Sequence, residues 1–439
     1  MNSVQVAVIG GGWAGLAAAV SATQAGHHVT VFEATRNWGG RARALPSRQS
    51  DGTDAILDNG QHILIGAYSD TLALMRTVGV DPDATLLRLP LTMLFPDGSG
   101  ISLPDWPTPL DVLAGIFTAR GWSVGDKWSL IRTTSRWQLS GFQCPPSQSV
   151  AELCHGLSPT VLQTLIEPLC VSALNTPAER ASGQVFLRVL KDSLLGGKGS
   201  SNLLLPRTDL SNLFPDAAAV WLGKQGATLQ LGTRIEELVH LEGWRVNGQA
   251  FDSVIWATSS SVASQILGKS AGQSPSAQAM RAWAGQAASL TYESIATVYV
   301  QAGTTRLPQP MLALRSSTAY PAQFVFDRGQ LGGKAGLLAF VVSASNDDRA
   351  ALQTKVLQQA RSELAKLLDP QDLIAVQTVM EKRATFACTP GLTRPGQQIA
   401  PGLLACGDYV EGPYPATLEG AVRSGLAAGR HCNFQVNTR

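Results

Sequence analysis

An apolar run, VQVAVI (4–9), ends in three glycines and opens an alanine-rich stretch. A short run that is apolar on both faces predicts a buried parallel strand. Residues 14–26 predict a helix stopped at Gly26, and HVTVFE (28–33) a second strand. A strand, helix and parallel strand in so few residues make a right-handed crossover unit, which points to an α/β fold. The turn reads Gly10-Gly11-Gly12-Trp13-Ala14-Gly15. Gly10 permits the tight bend, Gly12 lets a pyrophosphate approach the backbone, and Gly15 lets the helix pack on the strand. The helix N-terminus then offers free N–H groups and a positive dipole end to phosphates. Glu33 ends the second strand, 18 residues past Gly15. A carboxylate there can accept hydrogen bonds from the ribose of an adenosine.

Three further stretches extend this reading. Gly39-Gly40-Arg41, with Arg43 close behind, puts an arginine where its fork can reach the pyrophosphate. A bare NAD site needs no second clamp at this point, so the combination favours FAD. Leu57-Asp58-Asn59-Gly60-Gln61-His62 crowds polar groups beside the apolar residues 63–65, as expected of backbone next to a ligand. Leu403-Leu404-Ala405-Cys406-Gly407-Asp408 reads as a strand and loop leading to a helix over 416–430. Asp408 can hold ribityl hydroxyls or a backbone turn. The dipole of that helix would favour reduced, anionic flavin at its N-terminus. By contrast GGKGSSN (196–202) lacks the spacing of a phosphate loop and reads as a turn.

Composition narrows the function classes. Of 439 residues, 44% are hydrophobic and 15% charged, the latter below the ~25% of an average soluble chain. The net charge is +2 and no basic run exists, so nucleic acid is not an expected partner. Six cysteines form no CxxC pair and the six histidines are dispersed, so no metal site is expected. The start of the chain reads as a strand, not a signal peptide, and no window of ~18 apolar residues predicts a membrane-spanning helix. A cytoplasmic location follows, with peripheral contact at the inner membrane face left open. Nucleotide-fold character lies at 1–66, 196–268 and 396–439. Residues 67–195 and 269–395 read as a second domain inserted twice. Within it, 90–142 predicts a Pro-rich entry loop and then helices carrying Trp106, Trp122, Trp128 and Trp137. Residues 149–195 predict helices broken at Pro159, Pro168 and Pro177, and 291–301, 335–345 and 374–387 predict strands.

The stretches VIGGGWAGLAAA, VTVFEA, WGGRA and LLACGDYVEGPYPATLEGAVRSG together resemble the FAD-dependent amine oxidase and phytoene desaturase superfamily. LDNGQHILIGAY (57–68), IEPLCVSALNTP (166–177), LLLPRTDLSNLFPDAA (203–218) and RATFACTPGLTRP (383–395) resemble its hydroxysqualene dehydroxylase branch. The resemblance implies a discontinuous Rossmann-like FAD domain with an inserted α+β substrate domain. It implies that Gly10, Gly12, Gly15, Glu33, Gly40 and Arg41 contact the adenosine diphosphate, and Gly407 and Asp408 the ribityl chain. Ile235 would face adenine and Gly60 would pass the isoalloxazine ring. The loop EGPYP has no cysteine, so FAD is expected to bind non-covalently. Residues 287–303 contain no lysine, which speaks against amine oxidation. The implied reaction is reduction of hydroxysqualene, a long isoprenoid, with an unidentified electron donor for the flavin. It needs a proton donor to the departing hydroxyl, and His62, Tyr414 and Asp58 are the candidates, with Glu411 weaker and Tyr409 near the flavin. A desaturase or amine oxidase of opposite redox sense, and a non-catalytic lipid-binding flavoprotein, are the rival readings.

Overall fold

The glycine-rich turn stands at the carboxyl end of a strand in the middle of a six-stranded sheet. In the computed structural model, which describes residues 3–48 and 54–432, the strand order is Thr228–Leu231, His28–Glu33, Gln5–Ile9, Ser253–Trp256, Leu403–Ala405 and Gln398–Ala400. The first five are parallel and the last is antiparallel. Val6 lies beside Val29 on one side and Ser253 on the other. Val6, Ala7 and Val8 are fully buried, as an apolar strand covered on both faces must be. The α/β class and the discontinuous Rossmann-like unit are therefore as the sequence implies.

The helix Trp13–Gln24 packs on the C-terminal helix Leu418–His431. Small residues make that contact. A Cβ on Gly425 would stand 2.2 Å from the Ala14 carbonyl oxygen, and one on Gly429 would stand 2.5 Å from that of Ala18. Gly15 is tighter still, 1.9 Å from the Gly10 carbonyl. The first and last segments of the chain are thus joined backbone to backbone.

A second, antiparallel sheet runs Met311–Ala313, Phe324–Asp327, Leu337–Ser343, Tyr292–Ala302 and Leu373–Phe386. Its side chains alternate between two cores, as strand geometry dictates. Val298, Val300 and Val325 pack under the helix Arg349–Glu363, with Leu352 and Val356. Tyr299, Phe324 and Phe326 face the other way, into the main core. Helices Leu110–Thr118, Val124–Leu139, Glu167–Leu174 and Gly183–Leu195 close the remaining side.

The departures from the sequence reading have local causes. The expected entry loop holds a short hairpin, Thr92–Leu94 with Gly100–Ser102, around a turn at Pro96-Asp97-Gly98-Ser99. Pro168 breaks nothing. It stands in the first turn of Glu167–Leu174, directly after a π-helical turn over Leu162–Ile166, where a missing N–H costs little. Pro159 likewise starts a helix, and the real break is Asn175, left-handed at φ 45°. The helix Ser69–Thr77 and the strand Leu86–Leu89 have no counterpart in the sequence reading.

Gly425→Ala should lower stability by about 2–3 kcal/mol, since backbone rather than a flexible side chain opposes the new methyl. Gly285→Ala is the control. It lies in the helix Pro275–Ala288 with nothing within 4 Å of a Cβ, and should gain up to about 1 kcal/mol. Equal denaturation midpoints for the two variants would contradict the packing described.

Candidate flavin and substrate site

One cavity of about 1260 Å³ runs from the glycine turn, past the antiparallel sheet, into the helical layer. Small-molecule sites usually measure about 300–1,000 Å³, so this one has room for more than a single ligand. Gly10, Gly12, Glu33, Gly40, Arg41, Gly60, Ile235, Gly407 and Asp408 all line it. Gly15 stands behind, packed on Gly10.

At the nucleotide end the backbone is bare. Gly12 and Gly40 face each other, and a Cβ on Gly40 would stand 3.3 Å from Gly12 Cα. The Gly39 N–H donates to the Gly11 carbonyl at 2.8 Å, which fastens the second glycine loop to the first. Glu33 is buried and accepts from the Gly11 N–H at 2.7 Å and the Thr35 N–H at 2.8 Å. Its carboxylate therefore holds the turn in shape as well as facing the cavity. The Arg41 guanidinium donates to Asp408 and to the Ala384 carbonyl. This ion pair joins the Gly-Gly-Arg loop to the Gly-Asp loop and ties both to the second sheet. Bare glycine backbone, a helix N-terminus and an arginine fit a dinucleotide's pyrophosphate.

The acid candidates separate sharply. Asp58 is off the cavity wall: its Oδ1 accepts from the Leu210 N–H at 2.9 Å, and its Oδ2 lies 3.7 Å from Arg328. Burial pushes its carboxyl up to about 6, against the pull of the Leu210 N–H and Arg328. It is a fastening for two chain segments, and the expectation of an acid there is corrected. Glu411 is exposed and away from the wall, and so is not placed to act as an acid either. Tyr409 is buried beside Trp283, its ring against Gly407, and does not reach the cavity. His62 does line it, but enclosure in the protein and nearby Arg41 push the imidazole down to about 4. At pH 7 it is neutral and holds no imidazolium proton to give.

Tyr414 lines the cavity and donates to Asp192 Oδ2 at 2.8 Å, with the Arg423 guanidinium 4.6 Å from its ring centre. Burial, and next the hydrogen bond to Asp192, push its hydroxyl up to about 12, so it carries its proton at pH 7. Asp192 comes from the helix Gly183–Leu195 and, like Thr385, has no role in the sequence reading. Only the chain's return brings them to the wall. Beyond these groups the lining turns apolar, with Leu103, Val112, Ile116, Leu130, Trp137 and Leu165. The strand Tyr292–Ala302 brings no lysine.

Fold and site together define a flavin-dependent oxidoreductase. The chain belongs to the flavin containing amine oxidoreductase family, whose profile matches residues 13–433. It is 28% identical to the hydroxysqualene dehydroxylase of Rhodopseudomonas palustris, across 98% of this chain and 100% of that relative. It is 26% identical to that of Sinorhizobium fredii, across 99% of each. The hydroxyneurosporene desaturase of Rhodobacter capsulatus is 37% identical, but over only 23% of this chain and 20% of that one. Among solved structures, an oxidoreductase from Methanosarcina mazei superposes at a TM-score of 0.71, with 16% identity over 96% of this chain and 99% of that one. Cyclohexylamine oxidase from Brevibacterium oxydans superposes at 0.69, with 16% identity over 98% of this chain and 99% of that one.

Asp58 and His62 give opposite pH dependences. Asp58 titrates higher folded (about 6) than unfolded (about 3.8), so its contribution to stability falls as pH rises through that window. His62 titrates lower folded (about 4) than unfolded (about 6.5), so its contribution rises with pH over nearly the same window. Asp58→Asn removes the first effect. Relative to wild type, the variant should gain up to about 3 kcal/mol between pH 3.5 and 7 in denaturant titrations. Parallel profiles would contradict the raised carboxyl.

Proposed function

We propose that the enzyme reduces hydroxysqualene to squalene. The observation that carries this reading is a single cavity, polar and glycine-lined at one end and apolar through the helical layer at the other. The near-full-length likeness to hydroxysqualene dehydroxylases supports it. The substrate's carbon–oxygen bond breaks, a carbon–hydrogen bond forms, and the oxygen leaves as water once it gains a proton. Hydride is the chemistry that a bound, reduced FAD supplies.

The chain's own residues do the rest. Gly10, Gly12, Gly40 and Arg41 hold the pyrophosphate, Glu33 the ribose, Ile235 the adenine, Gly60 the ring system and Gly407 with Asp408 the ribityl chain. The attachment is non-covalent, since Cys406 is fully buried in the strand end and the EGPYP loop offers no thiol. Segments 1–66, 196–268 and 396–439 hold the cofactor, and 67–195 and 269–395 hold the lipid. The apolar walls exclude water from the allylic cation. Tyr414 gives the proton once its O–H turns from Asp192 to the substrate oxygen, and Arg423 over the ring offsets the negative charge the phenol acquires. An electron donor outside the chain renews the reduced flavin.

A lipid surface delivers the substrate. On the helix Leu110–Thr118, Val112 and Ile116 line the cavity, while Leu110, Leu113 and Phe117 point outward at 56%, 40% and 64% exposure. Trp106 and Trp128 stand exposed beside them, with Arg132 and Arg136 exposed on the neighbouring helix. Aromatic and basic groups around an apolar face suit the headgroup region of a bilayer. No helix among the described residues is long and apolar enough to cross one.

Purified protein with a chemical reductant should convert hydroxysqualene to squalene. Tyr414→Phe should lower kcat about 10²-fold or more with unchanged FAD content. Lipid analysis that finds no squalene, but new double bonds with oxidised enzyme, would replace this reading by a desaturase. Wild type should float with anionic liposomes, and Phe117→Glu with Trp128→Glu should not. Wild type that stays unbound at low and high salt alike would remove the membrane from the account.

A further inference from the structure

Asn175 is the one side chain on the cavity wall with a buried polar atom left over among the described residues. It is 5% exposed, and its Oδ1 has no hydrogen-bond partner. Its other amide atom, Nδ2, donates to Thr385 Oγ1 at 2.9 Å. Its backbone is fixed as well. Asn175 ends the helix Glu167–Leu174 in the left-handed region, with its N–H on the Val171 carbonyl at 2.9 Å. The next residue, Thr176, accepts from the Cys388 N–H at 3.2 Å, which pins this loop to the second sheet.

A left-handed helix end is met most simply by glycine, which carries no amide to bury. A buried amide oxygen without a partner is unfavourable unless a ligand completes it. The position says which part of a ligand. Thr385 follows Ala384, whose carbonyl accepts from Arg41, and Arg41 pairs with Asp408. Leu165, Ile166 and Leu169 line the wall on the other side. Asn175 thus stands where the polar, glycine-lined end gives way to the apolar end. Asn175 can there receive the one hydroxyl of an otherwise apolar molecule lying along the cavity.

We infer that Asn175 recognises the hydroxyl of the isoprenoid alcohol, Oδ1 accepting its O–H. This rests on the dehydroxylase reading above. With its own hydrogen engaged, the oxygen presents its lone pairs to the proton donor, and the breaking carbon–oxygen bond stays oriented. Once the oxygen has left as water, Asn175 has no partner on squalene. The same contact therefore favours substrate over product.

The test is a binding comparison on the oxidised holoenzyme, with no turnover. Hydroxysqualene and squalene are titrated in detergent micelles, and the flavin absorbance is followed. Wild type should prefer the alcohol by about tenfold or more. Asn175→Gly keeps the left-handed end without the amide and should bind both lipids alike. Asn175→Asp keeps an acceptor at the same reach, tolerates this backbone, and should restore most of the preference. In turnover, Asn175→Gly should raise KM for hydroxysqualene about tenfold. A preference that survives in Asn175→Gly would overturn the inference, as would a wild type without preference. A shifted flavin spectrum in lipid-free Asn175→Gly, with lipid preference unchanged, would assign the amide to the cofactor instead. If wild type forms no squalene from hydroxysqualene, the dehydroxylase reading itself falls. If it forms squalene and these variants show no loss of preference, only the assignment of Asn175 falls.

Discussion

The structure depends on backbone meeting backbone at glycine. The helices Trp13–Gln24 and Leu418–His431 approach so closely that a single methyl on Gly425 would meet the Ala14 carbonyl. That contact brings the loop at Gly407 and Asp408, some four hundred residues along the chain, to the edge of the turn at Gly10–Gly15. Arg41 then closes the join by its ion pair with Asp408 and its bond to the Ala384 carbonyl. The glycine turn, the Gly-Asp loop and the second sheet are thereby fixed to one another. A site preorganised in this way spends little of its binding free energy on ordering the protein.

The cavity built on this frame has few titratable groups free to act. Glu33 is engaged with two backbone N–H groups, and Asp58 with Leu210 beside Arg328. Glu419 is fully buried and accepts from the first turn of Ser69–Thr77 and from Arg423. Such carboxylates belong to the frame, because buried charge is tolerated only where it is paired or hydrogen-bonded. His62 is held neutral. The pair Tyr414 and Asp192 is a proton-bearing group on the wall, with a cation over the phenol ring. Apolar walls and a sparse proton supply suit a reaction in which an allylic cation must survive long enough to meet hydride.

Much of this was legible in the sequence, and the limits are physical. The glycine turn, Glu33, the Gly-Gly-Arg loop and the Gly-Asp loop are local signals, because each needs a particular residue at a particular backbone position. Their meeting around one cavity follows from strand order, which the apolar runs at 4–9 and 403–406 foreshadow. Asp58 misled because polar crowding in a short stretch looks the same whether it faces a ligand or fastens the chain. Prolines misled in the same way: Pro168 looks like a break yet sits harmlessly in a first helical turn. Asp192 carries no local mark, and Thr385 is marked only as part of RATFACTPGLTRP, with no role attached. They lie almost two hundred residues apart, and only the packing of the helical layer on the second sheet brings them to the same wall.

Transfer of electrons from reduced flavin to the lipid can be followed in an anaerobic single turnover. The bound flavin is reduced chemically, excess reductant is removed, and hydroxysqualene is added while flavin absorbance is recorded and the lipid is extracted. The flavin should be re-oxidised, with one squalene formed per flavin. Flavin that stays reduced in the presence of bound hydroxysqualene would contradict that transfer.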